Sequence, residues 1–129
     1  MMQGCVDMKT KILYVLAPVL FLSACGQPEP ITYESLSLVN SYYVEHPVQS
    51  LTPTAGGWLF RGARENGNEI RVGFLVPRSL NPDQAKRHAV LDKVCPARSE
   101  LIWQVLPPGN KIVISVFTED NKFKDHVVC

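Results

Sequence analysis

Apolar and polar positions divide the chain into stretches of different rhythm. From Ile12 to Leu22 the side chains form an unbroken uncharged run. From Glu69 to Val76 they alternate, with Ile70, Val72, Phe74 and Val76 on one side of an extended chain. The stretch Trp58–Arg64 precedes this one across Glu65-Asn66-Gly67-Asn68. Asn-Gly is a strong two-residue turn signal, so a β-hairpin with Asn66 and Gly67 as its turn is expected. That register sets Arg64 opposite Glu69, Phe60 opposite Gly73 and Leu59 opposite Phe74. One face then carries Leu59, Ala63, Ile70, Val72, Phe74 and Val76, with Arg61 intruding. The other carries Trp58, Phe60, Gly62, Arg71, Gly73 and Leu75.

Further elements follow from caps and breakers. Asn81-Pro82-Asp83-Gln84 has the composition of a helix start, and Pro96 stops the helix after about Val94. Val90, Leu91 and Val94 are its narrow apolar strip, with Arg87 inside it, which suits a helix laid over one side of a sheet. Leu101–Leu106 reads as a strand, Pro107-Pro108-Gly109-Asn110 as a turn, and Lys111–Thr118 as the partner strand. Glu119–Lys124 reads as a charged turn before a short tail, Asp125–Cys129. Leu36, Val39 and Tyr43 stand at helical spacing, but residues 33–44 also allow a strand. Gln49–Gly57 reads as a loop. Hairpin, helix and hairpin, with a leading short helix as an option, predict a small two-layer α+β domain.

The apolar run near the start has a different destination. Lys9 and Lys11 precede it, and Leu22-Ser23-Ala24-Cys25 closes it. As a helix its eleven residues would rise only about 16 Å, against roughly 30 Å of bilayer hydrocarbon, so it fits the core of a secretory signal and not a membrane span. Leu22–Cys25 resembles the lipobox of bacterial lipoproteins. The resemblance implies cleavage before Cys25, diacylglycerol on its thiol and an acyl chain such as palmitate on the new amino group. Gly26, where an aspartate favours inner-membrane retention in such proteins, implies the outer membrane, with the domain facing the periplasm. The implied organisation is a signal peptide over residues 1–24 (with Met8 as a possible start), a lipidated tether over 25–32, and one domain over 33–129.

Charge and cysteine content refine this picture. Of 13 basic and 12 acidic residues, loss of Lys9, Lys11 and Asp7 with the signal leaves 11 of each. Such a balance gives no reason to expect nucleic acid as a partner. Of four cysteines, Cys5 leaves with the signal and Cys25 takes the lipid. Cys95 and Cys129 remain, an even pair in an oxidising compartment, and are expected to bond. Neither belongs to a C-x-x-C, and no histidine stands at ligand spacing, so neither a metal nor a cofactor beyond the lipid is expected. No nucleophile motif accompanies His46, His88 or His126, and the carboxylates are scattered through turns and helix starts, so no enzyme is expected.

A binding domain is the remaining class. Trp58, Phe60, Arg71 and Leu75 have the composition of an interface centre, unless the N-terminal segment covers the aromatics with Tyr42 and Tyr43. The expectation is an envelope lipoprotein with a protein partner, an accessory of an assembly such as a secretion or conjugation apparatus. The alternative is an inhibitor of a soluble hydrolase, presenting the Gln49–Gly56 loop.

Overall fold

Thr32 opens the first helix. Its hydroxyl oxygen accepts from the Ser35 N–H at 3.1 Å, satisfying one of the donors a helix start leaves free. Helix α1 (Tyr33–Glu45) buries Ser35, Val39, Tyr42 and Tyr43, a stripe at helical spacing, and this resolves the ambiguity of residues 33–44. Pro47 follows directly. The stretch expected to be a loop holds a four-residue helix, α2 (Val48–Leu51), and a 3-10 turn at Pro53–Ala55, with Val48, Thr52 and Ala55 buried. The computed structural model describes residues 28–77 and 79–129; the expected signal segment and Cys25 lie outside the described residues.

The first hairpin pairs strands β1 (Leu59–Asn66) and β2 (Glu69–Val76) in antiparallel fashion. Its turn is one residue later than expected, at Gly67-Asn68, with Asn66 opposite Glu69. Only Gly67 of the two takes a positive φ, 63°, the pattern of a II′ turn and not the I′ turn that Asn-Gly would make. Arg64 therefore faces Arg71, not Glu69. A bulge between Phe60 and Gly62 adds a second change: Arg61 is the extra residue, and Phe60 pairs with Phe74. Gly62 has φ 105°, which side chains other than glycine's hydrogen rarely allow.

The second hairpin also exists, one strand further along. Leu101–Leu106 is not a strand: α4 (Ile102–Val105) occupies it, burying Ile102 and closing with the Leu106 N–H on the Ile102 carbonyl. Strand β3 (Lys111–Thr118) lies parallel to β2, Glu69 beside Lys111 and Val76 beside Thr118. Its other edge pairs antiparallel with β4 (Lys124–Val128), the expected tail. Both edges of β3 are thus occupied, leaving no place for a strand at 101–106. The sheet is mixed and four-stranded, in the order β1-β2-β3-β4, and the domain is the small α+β unit expected.

Helix α3 (Gln84–Val94) crosses from β2 toward β3. Asp83 caps it, its carboxylate accepting from the N–H groups of Ala85 and Lys86 at 2.9 and 3.3 Å, and Asn81 accepts in turn from the Asp83 N–H. Helices α1 and α3 cover the same face of the sheet, where Ile70, Val72, Phe74, Ile112, Ile114 and Val116 are buried. Tyr43 is the link between layers. Its ring packs edge-on to Phe74, and its hydroxyl donates to the Val94 carbonyl at 2.6 Å; burial raises its ionisation well above the usual phenol range. Asn40 ties α1 to the sheet edge, accepting from the Ala63 N–H at 3.0 Å and donating to its carbonyl at 3.1 Å.

Cys95, the residue after α3, is bonded to Cys129, the residue after β4, with Cα atoms 5.6 Å apart. The bond closes a loop with a sequence separation of 34. By the chain-entropy account, reduction or Cys95→Ala with Cys129→Ala should cost about 4 kcal/mol, read as a lower urea midpoint. The mass of the domain that follows Cys25 should rise by two alkyl groups only after reduction; labelling of Cys95 or Cys129 without reductant would contradict the bond.

Candidate interaction face

The face of the sheet away from the helices has no covering element among the described residues. Leu59, Arg64, Arg71, Gly73 and Leu75 point to it from the first hairpin, and Ser115, Phe117 and Lys124 from the second, following the alternation of each strand. Arg61, at the bulge, joins them. Gly62 and Gly73 are partners across β1 and β2, so the centre of the face has no side chains, and the Phe117 ring borders it: a Cβ added to Gly73 would lie 3.6 Å from Phe117 Cε1. The result is a shallow depression of about 320 Å³ whose rim carries Arg61, Arg64, Arg71 and Lys124.

The cations on this rim differ in their partners. Arg71 donates through Nε and Nη2 to Glu69 Oε2, at 2.9 and 2.6 Å, so its charge is largely neutralised on its own strand. Arg61, Arg64 and Lys124 form no ion pair among the described residues. Arg64 stands beside Arg71 across the strands, a like-charge pairing that disfavours the sheet by itself. An anion over the glycine floor would meet guanidinium groups able to bind carboxylate or phosphate in two-pronged fashion.

The four residues expected to form an interface are split between two faces. Arg71 and Leu75 lie on the open one. Trp58 and Phe60 pack toward the helices: Phe60 is 5.6 Å from Phe74 and 5.7 Å from Tyr43 between ring centroids, and Trp58 is 6.2 Å from Phe74. The cause is the bulge at Arg61, which inverts the alternation expected of an even strand. Leu59, assigned to the core by that alternation, is 55% exposed. The cover over Phe60 is Tyr43, with Tyr42 edge-on behind it.

Two other features bring polar or apolar side chains together. A cavity of about 440 Å³ lies between α3 and the end of β2, lined chiefly by Trp58, Val76, Leu80, Val90, Leu91 and Val116. Its walls offer no acid–base pair or activated nucleophile. The other is a cluster that links α3 to β4. Asp125 accepts from Arg87 Nε at 2.7 Å and contacts His88 Nε2 at 3.0 Å, while Arg87 also reaches the Asn81 carbonyl. This explains the arginine in the apolar strip of α3: it extends past the strip to the edge strand. Its partner lies 38 residues away in sequence, beyond any local pattern. No nucleophile hydrogen-bonds to His88 among the described residues, and the cluster acts as a clamp. No group of three or more metal-binding side chains occurs among the described residues, and none of the described helices is long and apolar enough to cross a membrane. Comparison with protein-family models, curated proteins and solved structures finds no match.

The clamp has a pH signature. Burial pushes the Asp125 carboxyl up, but hydrogen bonds from Arg87, His88 and the His126 N–H, with the charge of His88, outweigh it and hold the group at about 2. A carboxyl depressed on folding stabilises fully above its unfolded value, near 4, and loses that contribution as pH falls toward the folded one. Urea midpoints of the native chain and of Asp125→Asn should therefore differ most at neutral pH and converge between about pH 4 and pH 2. A gap that stays constant across that window would exclude the carboxylate as its source.

Proposed function

We propose that this chain is an outer-membrane lipoprotein, anchored through diacylglycerol on Cys25, whose periplasmic domain is a non-catalytic binding module for an acidic protein of an envelope assembly. One observation carries the binding part of this reading. Arg61, Arg64, Arg71 and Lys124 converge on a sheet face with a glycine floor; among the described residues no element covers it and three of the four lack ion-pair partners. Leu59, Leu75 and Phe117 beside them supply apolar contact, and arginine with aromatic or aliphatic neighbours is the composition that centres of protein interfaces favour. The anchor part rests on Leu22-Ser23-Ala24-Cys25 and the charged, short apolar segment before it.

The inhibitor alternative is supported less well. It calls for a protruding loop at Gln49–Gly56, yet Thr52 and Ala55 within that segment are buried and Gln49 donates to the Trp58 carbonyl at 3.0 Å.

Membranes solubilised gently should yield the partner with the native chain. Arg61→Glu with Arg64→Glu should weaken recovery at least about tenfold, equivalent to 1.4 kcal/mol, and raised salt should act in the same direction. Trp58→Phe, on the covered side, should leave recovery unchanged. Retention of the partner by the folded charge-reversed variant would refute the face as the interface. Cys25→Ser should release the chain to the soluble periplasmic fraction.

A further inference from the structure

The first described residues are already docked on the domain. Pro28 lies against Gly109, where an added Cβ would stand 3.0 Å from Pro28 Cα. The Glu29 N–H donates to the Pro108 carbonyl at 3.3 Å, and Asn110 Nδ2 donates to the Glu29 carbonyl at 2.7 Å. Ile31 is buried in the core. The turn that receives these residues is tied to the β1–β2 turn: Asn68 Nδ2 donates to the Gly109 carbonyl at 3.2 Å, and the Lys111 N–H to the Asn68 carbonyl at 3.0 Å. Together they make one pole of the domain, where β1 ends and β2 and β3 begin. The turn segments 66–68 and 107–110 contain no charged residue; the charges nearest them are Glu29, docked there and exposed, and Glu65, Glu69 and Lys111 at the strand ends.

Only three peptide links separate Cys25 from Pro28, and at 3.8 Å per step they reach at most about 11 Å. A free tether through residue 32 would let the domain take any orientation; docking at residues 28–31 removes most of that freedom. The opposite pole lies the length of an eight-residue strand away, roughly 26 Å. From this geometry we infer, resting on the reading of Cys25 as the lipid site, that the pole of Gly67 and Gly109 sits on the phospholipid headgroups and the strands run away from the bilayer. The occupant of this surface is the bilayer that holds the anchor. Uncharged turns can meet headgroups without repulsion or the cost of burying an unpaired charge. The arginine face then points sideways, open to a protein approaching along the membrane.

The test uses the full lipidated chain in phospholipid vesicles carrying an acceptor dye on the headgroups. A fluorescent noncanonical amino acid replaces Asn66 at the near pole or Glu119 at the far one, leaving the cysteines untouched. Energy transfer from position 66 should be several-fold stronger than from 119. An insert of about twelve glycines and serines after Gln27, adding roughly 20 Å of flexible reach, should bring the two values together. Equal transfer with the native leash overturns the orientation. Intact mass separates the two claims: a diacylglycerol adduct on Cys25 with equal transfer defeats the orientation alone, and a chain without the adduct defeats the anchor reading and the orientation with it.

Discussion

A parallel pair of strands cannot be closed by a tight turn, and β2 lies parallel to β3. The end of β2 and the start of β3 are at opposite poles, so the chain must travel back along the sheet between them. The stretch 77–110 makes that journey, and α3 occupies much of it. The other features follow from this return. Helix α3 runs over one face and delivers Cys95 to the pole where β3 begins. Strand β4, antiparallel to β3, ends at that same pole and delivers Cys129. The disulfide thus joins two segments that the topology has already brought together, and Asp125 with Arg87 and His88 fastens the same helix to the same strand farther up. Lying over the remaining half of that face, α1 is tied to the sheet by Asn40 and to α3 by Tyr43.

Coverage of one face leaves the other without a covering element among the described residues, and the bulge at Arg61 changes what that face carries. In an even strand, Phe60 would project from it and Leu59 would be core. With one extra residue in β1, Phe60 turns inward to Tyr43 and Phe74, while Arg61 and Arg64 are left around the facing glycines, Gly62 and Gly73. A single inserted residue thus takes Phe60 off this face and adds Arg61 to it. The core gains too, because a half-buried aromatic side chain contributes more to packing there than in water.

Much of the fold was legible from local rules. Alternation over Glu69–Val76 gives β2 and its buried side, and the Asn81–Gln84 caps with Pro96 bracket α3 to within a few residues. The pairing of Cys95 with Cys129 follows from elimination. What was illegible depends on tertiary choice. Asn66-Gly67 and Gly67-Asn68 can both close a hairpin, and the sequence between two strands does not say which of two turn types their twist will select. A six-residue apolar run such as Leu101–Leu106 fits a strand or a helical turn equally well, and here the occupied edges of β3 decide. The bulge has one local sign, glycine inside a strand pattern at Gly62, which marks irregularity without fixing its direction. The candidate face was half legible: the alternation sets Arg64, Arg71 and Leu75 on a common surface, while Arg61 depends on the bulge and Lys124 on the position of β4.

Net charge was a poor guide to this surface. An equal number of acids and bases after Ala24 describes the far field of that part of the chain, whereas a ligand at contact range meets the local arrangement, little screened within about 8 Å at physiological salt. Placing Arg64 beside Arg71 disfavours the hairpin, and Glu69 relieves it by neutralising Arg71 alone. A surface arranged for stability would set an acid opposite Arg64, as the Asn-Gly register would have done with Glu69. The II′ turn moves that acid two positions along, to face Asn66, and leaves the Arg64 guanidinium without an ion-pair partner among the described residues. Hairpin stability by itself does not account for that arrangement, and it is on this arrangement that the proposed binding role rests.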